Sequence, residues 1–65
     1  MSEQTRESVN RGRAFARRHR IFTAQEMCDA IGCEWERMEI VINVLLDVND
    51  ITPIDGGYRS EIYEP

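Results

Sequence analysis

The chain has 65 residues, of which 42% are hydrophobic and 31% are charged, and its formal net charge is −4. This length allows one small domain, residues 1–65, without room for a catalytic cleft, and no apolar run reaches the ~20 residues of a membrane span. With two cysteines and one histidine, neither a disulfide framework nor a zinc site is predicted. We expect a non-enzymatic cytoplasmic domain with no metal, cofactor or small-molecule substrate.

Charge is divided unequally along the chain. All eight basic residues are arginine, and six of them lie within residues 1–20 beside only two glutamates. Residues 21–65 contain two arginines and ten acidic residues. Because such charge asymmetry steers association more than it determines a fold, we expect a binding module.

Residues 1–20 predict an arginine-rich first helix that begins after Ser2, a residue type that favours the N-cap position. Four residues recur at helical spacing and predict its inner face: Val9, Gly12, Ala16 and His19. On this face His19 is expected to be partly buried and hydrogen-bonded.

Residues 23–48 are typical of a helix-turn-helix. Thr23 and Glu26 have the spacing of a capping box, in which each side chain accepts a hydrogen bond from the other residue's amide. The short second helix ends before Gly32, which can adopt the left-handed conformation of a helix terminus. A third helix then follows over residues 34–48.

The third helix has an apolar side and a mixed side. Placing residues at 100° steps predicts an inner face of Met38, Val41, Ile42 and Leu45. The opposite side carries Glu36, Glu39, Asn43 and Asp47, together with the apolar Ile40 and Val44. A surface helix of a monomer does not need these two apolar residues, which either pack under a neighbouring segment or contact a partner.

Residues 51–63 predict a C-terminal β-hairpin. Strands are expected at Ile51–Ile54 and Tyr58–Tyr63, on either side of the turn sequence Asp55–Gly57. Pro53 has no N–H to donate, so the first strand is predicted to lie at an edge of the sheet.

Three helices followed by a short hairpin resemble a winged helix-turn-helix domain. Ile21–Gly32 resembles the second helix and turn of that family, residues 34–48 its recognition helix, and Asp50–Arg59 its wing. The implied fold class is mainly α with a C-terminal β-hairpin, namely three helices plus a wing. The resemblance implies binding of duplex DNA, with the third helix in the major groove, although many members bind proteins instead.

The leading functional prediction is a small regulator in a DNA or transcription setting, with phosphate contacts from the arginine-rich first helix. The candidate nucleic-acid-binding residues are Arg6, Arg13, Arg17, Arg20, Arg37, Asn43 and Arg59. On the first helix, Arg6, Asn10, Arg13, Arg17 and Arg20 recur at spacings of three and four, so they are expected to form a stripe on one helix face. Arginine suits phosphate because its planar guanidinium donates several hydrogen bonds. The glutamates of the third helix oppose this function electrostatically, and the arginines could instead pair with the domain's own acidic residues.

The alternative prediction is a protein–protein interaction module, an adaptor or inhibitor that does not contact DNA. Its candidate interface residues are Trp35, Glu36, Ile40, Val44 and Asp47. Trp35 either packs against the wing or serves as an exposed anchor. A homodimer is one form of this alternative, with the first helix of one copy against the third helix of another, and reversing the charges of Arg13 and Arg17 would then dissociate it.

Overall fold

The computed structural model describes residues 1–65 and contains three helices and a three-stranded antiparallel sheet. The elements in chain order are α1 (Glu3–Arg18), β1 (Ile21–Phe22), α2 (Ala24–Ile31), α3 (Trp35–Asp47), β2 (Ile51–Ile54) and β3 (Gly57–Ser60). The predicted helices and hairpin are therefore present, and this layout is compatible with a winged-helix arrangement. None of the helices has the length and apolar character of a membrane span.

Local side-chain bonds define where the helices begin. The hydroxyl of Ser2 accepts the Thr5 amide at 3.1 Å at the start of α1. At the start of α2 the predicted capping box is confirmed, because the Thr23 hydroxyl accepts the Glu26 amide at 3.1 Å and the Glu26 carboxylate accepts the Thr23 amide at 2.9 Å. These bonds satisfy amides that have no partner within the helix.

The helix ends correct one prediction and confirm another. α1 ends at Arg18, and His19 is extended, with φ −130° and ψ 115°. The prediction that the first helix reaches residue 20 is therefore wrong, because the chain must straighten to enter β1. Gly32 has φ 69° and ends α2 as predicted, and its amide donates to the Cys28 carbonyl.

The helices and the sheet share one hydrophobic core. The four inner residues predicted for α3 are all buried: Met38, Val41, Ile42 and Leu45. Phe22 from β1 and Ile51 from β2 are also almost fully buried. At Gly12 α1 packs closely against α3, and a Cβ there would lie 2.9 Å from Cγ1 of Val41, so a larger residue would require the Val41 side chain to shift.

The sheet has one more strand than the predicted hairpin. β1 pairs with β3, so that Ile21 lies opposite Arg59 and Phe22 opposite Tyr58. The strand order is β1-β3-β2, which places Pro53 in an edge strand, as predicted.

The second strand of the predicted hairpin ends three residues earlier than expected, at Ser60 instead of Tyr63. The Ser60 hydroxyl turns inward and donates to the carbonyl of Ala16 at 2.6 Å. This bond joins the end of β3 to the last turns of α1, and the chain then leaves the sheet along that helix.

Candidate functional site

The arginines of α1 that were predicted to bind phosphate do not form one free surface. Nε of Arg13 donates to the Asp50 carboxylate at 2.8 Å, and both side chains are mostly buried, with 35% and 18% exposed. Nε of Arg17 lies 3.6 Å from the Glu64 carboxylate. Two members of the predicted stripe thus neutralise acidic residues of the same chain.

The other two members of the stripe are exposed and unpaired but lie apart. Arg6 is near the start of α1, and Arg20 lies beyond its end, in the connection to β1. No ion pair of the chain includes either side chain. The prediction that Arg20 shares a helix face with Arg6, Arg13 and Arg17 is therefore wrong, since the helix stops two residues before it.

The candidate DNA-binding residues outside α1 are also largely engaged. Arg37 donates to the side-chain oxygen of Gln4 at 3.2 Å. Arg59 donates to the Glu61 carboxylate at 3.0 Å. Asn43 is exposed on α3 and makes no side-chain hydrogen bond within the chain.

The outward side of α3 is acidic, partly apolar and unpaired. Its exposed residues, which we call the α3 face, are Trp35, Glu36, Glu39, Ile40, Asn43 and Asp47. None of the three carboxylates takes part in an ion pair, and Trp35 and Ile40 are each 48% exposed. Val44, which was predicted to share this interface, is half-buried and packs against the core instead.

Trp35 also borders a concavity between α3, α2 and the sheet. This α3–sheet groove has a volume of about 250 Å³ and is lined by Ala24, Trp35, Met38, Glu39, Ile42, Asn43 and Tyr58. Trp35 and the hairpin residue Tyr58 line the same groove, and Trp35 exposes about half of its surface there. The groove offers an apolar recess directly beside the acidic residues of the α3 face.

A second concavity was not predicted from the sequence. This α1–α2 groove has a volume of about 440 Å³ and is lined by Arg11, Ala14, Phe15, Arg18, His19, Ala30 and Ile31. The recurrence of Arg11, Phe15 and Arg18 at spacings of four and three is the signal that could have revealed it. The arginines of α1 predicted to bind phosphate lie on the other flank of the helix.

His19 belongs to this groove and is exposed, so the prediction that it is partly buried is wrong. Its ring stacks on Phe15 with 3.9 Å between centroids, and Nδ1 lies 3.0 Å from the carbonyl oxygen of Phe15. The predicted hydrogen bond is thus present, but it lies at the surface because α1 ends before His19.

Two groups near the surface have shifted pKa values. Burial raises the pKa of the Cys33 thiol, and the neighbouring Cys28 adds to the effect. A hydrogen bond from Thr52 lowers the pKa of the Glu61 carboxyl, with a further contribution from Arg59. Both cysteines are free thiols, and no three His, Cys, Asp or Glu side chains are grouped as metal ligands.

Comparison of the chain with protein-family models, with curated proteins and with solved structures finds no match. The class of the protein is therefore defined by its architecture, namely three helices and a small antiparallel sheet. Within it, the surface has a cationic groove between α1 and α2 and an acidic, partly apolar α3 face.

Proposed function

We propose that this chain is a small non-enzymatic winged-helix regulator that binds a protein partner through the α3 face. The observation that carries the proposal is the combination of three unpaired carboxylates with two half-exposed apolar side chains on one helix. Exposed aromatic and aliphatic anchors provide much of the binding energy in protein interfaces. Carboxylates around them select a partner with basic residues.

The same surface is poorly suited to the usual winged-helix contact with DNA. Glu36, Glu39 and Asp47 on α3 would enter a groove lined with phosphates, where like charge opposes binding. The nearby Arg37 is engaged by Gln4 and offsets only one of these charges. A basic protein segment, by contrast, would gain both ion pairs with the carboxylates and an apolar recess beside Trp35.

The proposal can be tested by titrating the isotopically labelled protein with an arginine-rich amphipathic helical peptide while following backbone amide resonances. We expect saturable shifts at the α3 face and the α3–sheet groove. A peptide of the same composition in scrambled order, which loses its apolar stripe, should bind at least tenfold more weakly. Equal binding of both peptides, or shifts spread over the whole surface, would show non-specific charge attraction instead.

Matched variants locate the binding surface. Replacing Ile40 by Ser should lower the affinity for the amphipathic peptide about tenfold, because the protein loses an exposed apolar anchor while its core is undisturbed. Replacing Ile21 by Ser should leave the affinity unchanged, because Ile21 is also exposed but lies on β1. If both variants lowered the affinity to the same extent, the α3 face would not be the specific binding site.

A second candidate function is binding of the DNA backbone in a transcription setting. It is favoured by Arg6, Arg18 and Arg20, which are exposed and have no carboxylate partner. Three phosphate contacts predict a log–log salt slope of about −3 in fluorescence anisotropy with generic duplex DNA. Replacing Glu36 by Gln should leave this binding unchanged, since α3 would not face the DNA. No binding at low salt would exclude this candidate.

A further inference from the structure

We infer that the α1–α2 groove is a docking surface for the α3 face of a second copy of this chain. The inference rests on the proposed function, because it names one partner for the α3 face. The two surfaces lie on different elements, so the contact joins unlike surfaces in a head-to-tail manner. Contacts of this kind close into rings or continue as open chains.

The groove combines cations at its rim with an apolar floor. Arg11 and Arg18 are two helical turns apart, about 10 Å along the axis of α1, and Phe15 lies between them. Arg18 has no ion-pair partner. Arg11 contacts Glu7 at 2.8 Å in an exposed i, i+4 pair, and because such pairs contribute little to stability, Arg11 can exchange Glu7 for another carboxylate.

One wall of the groove is ordered before any partner binds. The His19 ring lies nearly parallel to that of Phe15, with an angle of 13° between the planes. The contact of Nδ1 with the Phe15 carbonyl oxygen fixes the ring at the end of α1. An incoming side chain therefore meets a formed aromatic surface, which reduces the entropy lost on binding.

The α3 face has the complementary arrangement. Ile40 is a half-exposed apolar side chain, with Glu36 one turn before it and Asp47 about two turns after it. An apolar centre flanked by carboxylates on α3 thus complements, in residue type and charge, an apolar floor flanked by cations in the groove.

Several charged side chains of the groove and of the α3 face have no ion-pair partner within the chain. On the other flank of α1, Arg13 is held by Asp50 in a partly buried pair at 2.8 Å, whereas Arg17 makes only an exposed contact with Glu64 at 3.6 Å. Arg18 and the carboxylates of the α3 face have no partner within the chain. The dimer predicted from the sequence used Arg13 and Arg17, and the structure moves the cationic side of the contact to Arg18.

Sedimentation velocity over a range of protein concentrations at low salt tests this inference. The wild-type chain should self-associate, and Arg18→Glu and Glu36→Arg should each weaken association at least tenfold, since each places like charges opposite one another. Arg6→Glu makes the same charge change on α1 outside the groove and should leave association unaffected. Circular dichroism of each variant should match that of the wild type, as a check that the variant is folded.

Mixing the two disruptive variants gives the decisive measurement. In a 1:1 mixture, the intact groove of Glu36→Arg can bind the intact α3 face of Arg18→Glu, so association should return although each variant alone is monomeric. No recovery on mixing, equal disruption by Arg6→Glu, or a wild type that stays monomeric would each overturn the inference. If the wild type is monomeric but the peptide still binds the α3 face, the self-association is wrong and the proposed function stands. If the wild type is monomeric and the peptide does not bind, the proposed function is wrong as well.

Discussion

Gly57 lies where β3 passes β1, and a Cβ at this position would come within 2.6 Å of the carbonyl oxygen of Phe22. The obstacle is backbone and cannot rotate away. We therefore expect Gly57→Ala to lower the free energy of unfolding by about 1–3 kcal/mol, in the range of other overpacked sites. Urea denaturation measures this change.

Gly56 provides the comparison for that prediction. It has φ 83° and open space around it, so Gly56→Ala should cost only the strain of the left-handed conformation, about 1–2 kcal/mol. The two variants should also differ in kind, because only Gly57→Ala should expose the β1 amides to hydrogen exchange. Normal protection of β1 in that variant would contradict the steric explanation.

Glu61 gives the molecule a specific dependence on pH. Its carboxylate accepts hydrogen bonds from Thr52 at 2.7 Å and Arg59 at 3.0 Å, which lower its pKa. A lowered folded-state pKa stabilises the fold above the unfolded value of about 4.3, and this contribution is lost as pH falls through the folded value.

We expect Glu61→Gln to be less stable than the wild type at neutral pH and to lose less stability on acidification. Melting temperatures recorded from pH 7 to pH 2 measure the difference. Glu39→Gln removes an exposed carboxylate in the middle of α3 that makes neither an ion pair nor a side-chain hydrogen bond, and it should leave the melting temperature at pH 7 unchanged. A parallel curve for Glu61→Gln would mean that its hydrogen bonds do not contribute.

At the scale of the elements, Arg13 and Asp50 connect α1 to the segment between α3 and β2. The pair is partly shielded from water, and the Asp50 backbone is itself held by bonds to Leu45 and Glu61. A double-mutant cycle with Arg13→Ala and Asp50→Ala should give a coupling of about 1 kcal/mol, near the upper end for pairs with some exposure.

The Glu7–Arg11 pair is the matched control for this cycle, since it has the same 2.8 Å separation but is exposed and lies within one helix. Its coupling should be about 0.3–0.5 kcal/mol and should largely disappear in 1 M salt, whereas the Arg13–Asp50 coupling should mostly persist. Equal couplings and equal salt dependence would show that shielding adds nothing.

The elements differ in how well the sequence predicts them. The start of α2 and the inner face of α3 follow from residue types within one or two helical turns, so the capping box and the buried residues such as Met38 were predicted. β1 was missed because two residues have no periodicity and their partners, Tyr58 and Arg59, are distant in sequence. The end of α1 was misplaced for the same reason, because it is determined by entry into this strand.

The candidate site was predictable only in part. The outward position of Glu36 and Ile40 follows from helical spacing alone, whereas the availability of each arginine depends on tertiary contacts. Arg13 could not be recognised as occupied until α1 was placed beside Asp50. The α1–α2 groove likewise exists only once Ile31 of α2 is packed beside Phe15 of α1.

At the scale of the whole molecule, helices and sheet contribute to a single cluster of 11 buried hydrophobic residues. Such a small domain should unfold in one cooperative step. The fluorescence of Trp35, the single tryptophan, and the helical circular dichroism should therefore show the same urea midpoint. A lower midpoint for Trp35 would indicate that the contact between α3 and the sheet opens before the helices melt.

The antiparallel pairing of Ile21 with Arg59 encloses α2, α3 and β2 in one long loop of chain. Helices form within about a microsecond, but contacts between distant residues require the closure of such a loop first. The pairing of β1 with β3 thus adds contacts between remote segments to a molecule composed largely of helices. We expect it to refold more slowly than a helical bundle of the same size.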